Sequence, residues 1–224
     1  VALDNSGRTL ARVKGVFYAL TEADTNDEMS ALSEKIAPVL SEHNDNIYLN
    51  QDLYKRVAAV WQQEQEGKIT LTTEQHRLLD RYYKAFIRSG AGLDAGKQNR
   101  LREINKELST LAITFSNHVL NENNAYRLVI DNEAELAGLP EWVKTGAAEE
   151  AKAVGKEGKW LFTVQNSSRL PLLQYADNRE LRKDIYEAYI NRGNNGDAND
   201  NKEILKKIIS LRLEKANLLG FDCY

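Results

Sequence analysis

The chain has 224 residues, which favours one large domain and is long enough to bury roughly 70% of its unfolded surface without metal or disulfide staples. Hydrophobic residues make up 42% and charged residues 28%, and 30 Lys plus Arg against 33 Asp plus Glu give a formal charge of −3. No block of one sign stands out, which argues against a nucleic-acid or membrane-surface partner; the single cysteine, Cys223, rules out an internal disulfide, and no apolar run approaches the ~18 residues of a membrane span.

Helical periodicity dominates the first half. Leu10, Val13, Phe17 and Leu20 form one stripe, and Met29, Leu32, Ile36, Val39 and Leu40 a second, in which Pro38 predicts a kink about one turn earlier. Leu53, Val57, Val60 and Trp61 form a third. Thr72 and Gln75 have capping-box spacing and open a fourth helix, with Leu78, Leu79, Tyr82, Phe86 and Ile87, that stops at Gly90 and Gly92. The longest pattern runs from Lys97 to about Asn121, with Leu101, Ile104, Leu108, Leu111, Phe115 and Val119 on one face, and should span about 37 Å. Short polar connections favour antiparallel neighbours.

The pattern then changes. Tyr126–Ile130 and Trp160–Val164 are short, apolar and rich in β-branched and aromatic residues, so both read as strands. Two isolated strands in a helical chain most simply pair with each other. Between them lie a helical turn at Glu133–Ala137 and a helix opening at Pro140, where proline suits the first helical position. Helix returns at Asp177, which has capping-box spacing to Glu180, and carries Leu181, Ile185 and Tyr189. A last helix runs from about Asp200 to Leu219, with Ile204, Ile208 and Leu211 inward and Gly220 as its stop. The stretch Gly193–Gly196 reads as a flexible turn. The fold class expected is mainly α: one antiparallel helical domain over 1–224, with a ribbon-and-helix excursion at about 125–165.

Motifs for catalysis are missing. His43, His76 and His118 are each without a second His or Cys at ligand spacing, and none is followed by Glu, so the helical zinc motif H-E-x-x-H does not occur. Cys223 has no flanking cation to lower its pKa. Carboxylate pairs such as Glu133 and Glu135, or Glu149 and Glu150, read as solvated faces, and Gly90-Ala91-Gly92 as a helix stop instead of a phosphate loop. The sequon Asn166-Ser167-Ser168 is too short a pattern to carry an argument. Catalytic, cofactor-binding and metal residues are therefore all expected to be none in this chain. The first residue, Val1, is not Met, and Tyr224 follows the apolar run Leu218-Leu219-Gly220-Phe221, so the expectation is a piece of a longer protein.

Longer blocks say more. Lys35 to Val57 reads KIAPVLSEHNDNIYLNQDLYKRV, and Leu108 to Pro140 reads LSTLAITFSNHVLNENNAYRLVIDNEAELAGLP. Tyr175 to Arg192 reads YADNRELRKDIYEAYINR, and Leu211 to Tyr224 reads LRLEKANLLGFDCY. In this order and spacing the blocks resemble the N-terminal part of bacterial peptidyl-dipeptidases, which belong to the thimet-oligopeptidase family of zinc metallopeptidases. The resemblance implies a parent enzyme roughly three times as long, with its zinc-binding H-E-x-x-H helix downstream of anything in this chain. It implies a peptidase acting on short peptides, with Zn2+ in the parent and this chain as a non-catalytic helical wall of a narrow channel. The missing catalytic domain of the same chain is then its partner. A cytoplasmic location is expected, with the periplasm as the alternative because a natural start is not in view. The competing reading, from the residues alone, is a self-contained helical protein-binding module.

Overall fold

The computed structural model describes residues 2–224, and they are predominantly helical. Ten α-helices, a short 3-10 helix and one two-stranded sheet are present among the described residues, so the mainly α class with one two-stranded ribbon is as the sequence pattern leads one to expect. They gather into two compact units, one of residues 2–114 with 206–224 and one of residues 115–205. The boundaries fall inside two helices, α6 (Ala95–Ala125) and α10 (Lys202–Leu218), so each of these contributes to both units.

The first unit contains α1 (Ala2–Asn5), α2 (Arg8–Ala23), α3 (Asp27–Tyr48), α4 (Gln51–Gln65) and α5 (Thr73–Ser89), with the adjoining parts of α6 and α10. Asparagine side chains open two of these helices: Asn26 accepts from the Met29 N–H and Asn50 from the Leu53 N–H, each satisfying a donor that the first turn leaves over. The capping box at α5 forms as its spacing predicts, with the Gln75 N–H donating to Thr72 Oγ1 and the Thr72 N–H to Gln75 Oε1. At the other end of α5, Gly90 takes the left-handed conformation at φ 92°. The N–H groups of Gly90 and Ala91 then bond Ile87 and Phe86 carbonyls, and a Cβ at Gly90 would meet Leu101 at 2.6 Å. Helix α3 continues through Pro38 as one element.

Phe86, Leu101, Ile104 and Leu49 are the buried centre of this unit. Around them the aromatics of α3, α4 and α5 stack: Trp61 lies on Tyr83 with centroids 4.3 Å apart, and Tyr48 packs on Phe86 at 5.3 Å. The stripe read on α2 is helical but not interior: Leu10, Val13 and Leu20 are exposed, and α2 buries no residue. Helix α10 leaves Leu205, Ile209 and Leu213 exposed one turn apart. It ends as expected, with the N–H groups of Gly220 and Phe221 bonding the Asn217 and Ala216 carbonyls.

The second unit is built around the ribbon. Strands β1 (Leu128–Ile130) and β2 (Trp160–Phe162) pair antiparallel with Leu128 opposite Phe162 and Ile130 opposite Trp160. Both are shorter than the pattern predicts. Directly opposed residues share a face, so Ile130 and Phe162 enter one core with Leu136, Val143, Leu172, Leu181 and Ile185, while Leu128 and Trp160 cover it in part. Leu161, on the other face, is buried as well. The connection between the strands holds the 3-10 turn Glu133–Leu136 and α7 (Glu141–Ala153).

Three details differ from the sequence reading. Pro140 is the N-cap of α7 instead of its first helical residue. Helix α9 (Arg179–Ile190) is capped by Asn178, whose Oδ1 accepts from Glu180 and Leu181 N–H, one residue later than Asp177, whose backbone N–H bonds the Ala137 carbonyl. Helix α8 (Asn166–Tyr175) is not foreseen at all, since it is short and carries Pro171 in its interior.

Candidate functional site

The residue types that would carry peptide-bond chemistry are scattered. His43 is exposed on α3 and Cys223 is exposed near residue 224. His76 on α5 meets Glu64 of α4, Nδ1 to Oε1, at 2.7 Å. In the second unit the Nδ1 of His118 lies 2.9 Å from Asn201 Oδ1. Because Asn201 Nδ2 donates to the Phe115 carbonyl, its Oδ1 is the acceptor and His118 holds a proton on Nδ1. Among the described residues no three of His, Cys, Asp or Glu are placed together to hold a metal ion.

What the second unit does build is a cavity of about 420 Å³ beside the ribbon. Asn123 and Asn124 from the end of α6, Trp142, Gly146 and Glu150 from α7, and Thr163, Gln165 and Ser167 after β2 line it. A Cβ at Gly146 would meet nothing within 4 Å, so α7 presents an open wall there. Leu161 and Phe162 supply an apolar floor. One hydroxyl is already committed, Ser168 Oγ accepting from the Thr163 N–H at 3.0 Å. The lining can hydrogen-bond and desolvate a small polar ligand, and it includes no histidine to act as base toward its hydroxyls.

Behind Asn123 lies a buried polar cluster that ties α6, α8 and α9 together. Arg192 Nη1 donates to Asn123 Oδ1 at 2.6 Å, and Arg192 Nε to the Tyr189 carbonyl at 2.8 Å. Arg169, 8% exposed, donates to Asn166 Oδ1 at 2.6 Å and leaves its Nε unpartnered among the described residues. Glu122 takes two donors on Oε2, the Gly193 N–H at 2.8 Å and Asn195 Nδ2 at 3.1 Å. The Asn201 N–H closes the same turn onto the Gly193 carbonyl at 2.7 Å. The Gly193–Gly196 stretch, read as a flexible turn, is therefore fastened at several points. No local signal reveals this, because Glu122 and Asn123 stand about seventy residues from their partners.

Comparison with known proteins now adds what the geometry does not. The model of Peptidase family M3 matches residues 172–224. Over its whole length the chain is 36% identical to the dipeptidyl carboxypeptidase of Escherichia coli (strain K12), of which it covers 33%. It is 37% identical to the dipeptidyl carboxypeptidase of Salmonella typhimurium, again covering 33%, and 34% identical over 219 residues to the oligopeptidase A of Escherichia coli, covering 32%. The chain is thus similar to the family M3 peptidases, and the resemblance read from its four sequence blocks is borne out. It spans about a third of the length of the curated relatives it matches.

Proposed function

We propose that this chain is the N-terminal, non-catalytic helical domain of a zinc-dependent peptidyl-dipeptidase. The observation that carries the reading is the similarity over the whole chain to dipeptidyl carboxypeptidases, together with its span of about a third of their length. In this reading 1–224 serves as one domain and forms part of the wall of a channel for short peptides. In the same reading the zinc ion and its ligands belong to residues outside this chain. There the metal would supply Lewis-acid chemistry toward a water and a peptide carbonyl. This chain's contribution is shape and hydrogen bonding, for which the mixed lining beside the ribbon is suited. The location we propose is cytoplasmic, with a periplasmic one if an export signal precedes Val1.

The test has two arms. The full protein, incubated with a short peptide blocked at its N-terminus, should release the C-terminal dipeptide, and a chelator should stop it. The 224-residue chain alone should leave the same peptide intact by mass spectrometry. A full protein with no dipeptide release, or a reading frame without H-E-x-x-H beyond residue 224, would favour the self-contained binding module. Chelator-sensitive release by the chain alone would place the catalyst here and overturn the proposal.

A further inference from the structure

A second cavity, of about 350 Å³, lies within the first unit between α3, α5, α6 and α10, a volume in the range of small-molecule sites. Its lining is basic: Arg88 from α5 and Arg212 and Lys215 from α10 all border it, and Asp45 is the one acidic residue that does. Asp45 is 5% exposed and turned to a partner, accepting from Asn105 Nδ2 at 2.8 Å. Asn105 in turn accepts from Lys215 Nζ at 2.7 Å, so it holds acid and amine apart and orients both. Lys215 thereby keeps two N–H donors beyond that bond.

Arg88 and Arg212 join no ion pair among the described residues; Arg212 instead lies 5.0 Å from the centroid of the Tyr224 ring. Three cations against one carboxylate leave the cavity with a formal excess of two positive charges. Ser41 and Ser89 add neutral hydroxyls on its wall. Guanidinium forks and an ammonium facing hydroxyls are the donor chemistry that takes an oxyanion. Burial holds the Lys215 ammonium below its ordinary pKa, and a bound anion would offset that cost of charge.

We propose that this cavity is a binding site for a small oxyanion, a phosphate or carboxylate group on a small molecule, held by Arg88, Arg212 and Lys215. The proposal is independent of the peptidase reading, because it uses none of the residues that line the cavity beside the ribbon. It is tested by titrating the full protein that carries this chain with inorganic phosphate, and separately with acetate, at constant ionic strength in chloride. Calorimetry and the thermal midpoint are the readouts. Saturable binding is expected for at least one of the two anions, weakened at least tenfold in Arg88→Gln and in Arg212→Gln. The exposed Lys55→Gln, which removes a charge from α4 outside the cavity, should bind as the unaltered protein does. Lys215→Met should abolish binding; if it fails to fold, the two exposed arginines still decide. No saturable binding of either anion, or equal weakening in Lys55→Gln, would overturn the site.

Discussion

The guanidinium carbon of Arg169 lies 3.3 Å from the centre of the Tyr189 ring, and that of Arg192 lies 3.9 Å from the same centre. One aromatic ring thus serves two cations, and one of them, Arg169, is almost wholly out of water. Desolvation makes the attraction between cation and ring larger than at an exposed site, about 2 kcal/mol. Tyr189→Phe keeps the ring and should stay within about 0.5 kcal/mol of the unaltered chain, whereas Tyr189→Leu should lose about 2 kcal/mol or more. Urea denaturation of the two variants separates these outcomes; equal losses would mean that the hydroxyl or simple packing carries the effect.

Two glycines in the second unit separate conformational strain from steric exclusion. Gly138, at φ 84°, closes the turn after the 3-10 helix, and a Cβ there would stand 2.3 Å from the Tyr175 carbonyl oxygen. Gly155 has a similar φ of 74° with nothing within 4 Å. Gly155→Ala should therefore cost only the left-handed backbone term, roughly 1–2 kcal/mol. Gly138→Ala must also displace backbone and should cost above about 3 kcal/mol, or prevent folding. Thermal melts that rank the pair the other way would show that the turn at Gly138 relaxes freely.

The capping box of α5 allows a smaller and cleaner measurement. Thr72→Ala removes the acceptor for the Gln75 N–H and should destabilise the chain by about 1 kcal/mol. Gln75→Ala removes only the reciprocal bond to the Thr72 N–H, which is exposed and can turn to water, so its loss should be smaller. If the double variant lost the plain sum of the two, the bonds would be independent and not a cooperative box.

Which parts of the molecule could be read in advance follows from the range of the forces involved. The Thr72 and Gln75 box, the Gly90 stop and the pairing of Tyr126–Ile130 with Trp160–Val164 rest on contacts a few residues long or on a change of period, and both kinds of signal lie on the surface of the sequence. Helix α8 was hidden because its proline argues locally against helix, while Leu172 is fixed by a core that includes members of β1, β2, α7 and α9. The exposure of Leu10, Val13 and Leu20 could not be read either: periodicity states which residues share a face, not whether anything covers it. The polar clusters were the least legible. Asn105 bridges Asp45 and Lys215 across 60 and 110 residues, and amides at such separations leave no pattern. The blocks of sequence that resemble family M3 peptidases pointed to the relatives, while the two cavities emerged only once helices distant in sequence were packed.

Asp45 provides a prediction in which the sign of a pH dependence decides between two forces. Burial pushes its carboxyl above the ordinary value of 3.8, against the opposing pull of the Asn105 hydrogen bond and the charges of Arg102 and Lys215. With the folded pKa above the unfolded one, the native state holds the proton more tightly, so protonation favours folding. That contribution is present at low pH and is lost as pH rises from about 3.8 through the raised pKa; above it the carboxylate bears the full cost of burial. Asp45→Asn removes the titration while keeping the side chain's size. The stability of the unaltered chain minus that of the variant should therefore be most favourable near pH 3 and decline as the pH rises above about 3.8. The amide oxygen of the variant can still accept from Asn105 Nδ2, so the change removes the titration and keeps that hydrogen bond. Urea midpoints from about pH 3 to about pH 7 give that slope. A difference that instead grew with pH would mean that Arg102, Lys215 and the Asn105 hydrogen bond outweigh burial, and that Asp45 is held as a stabilised anion between α3 and α6.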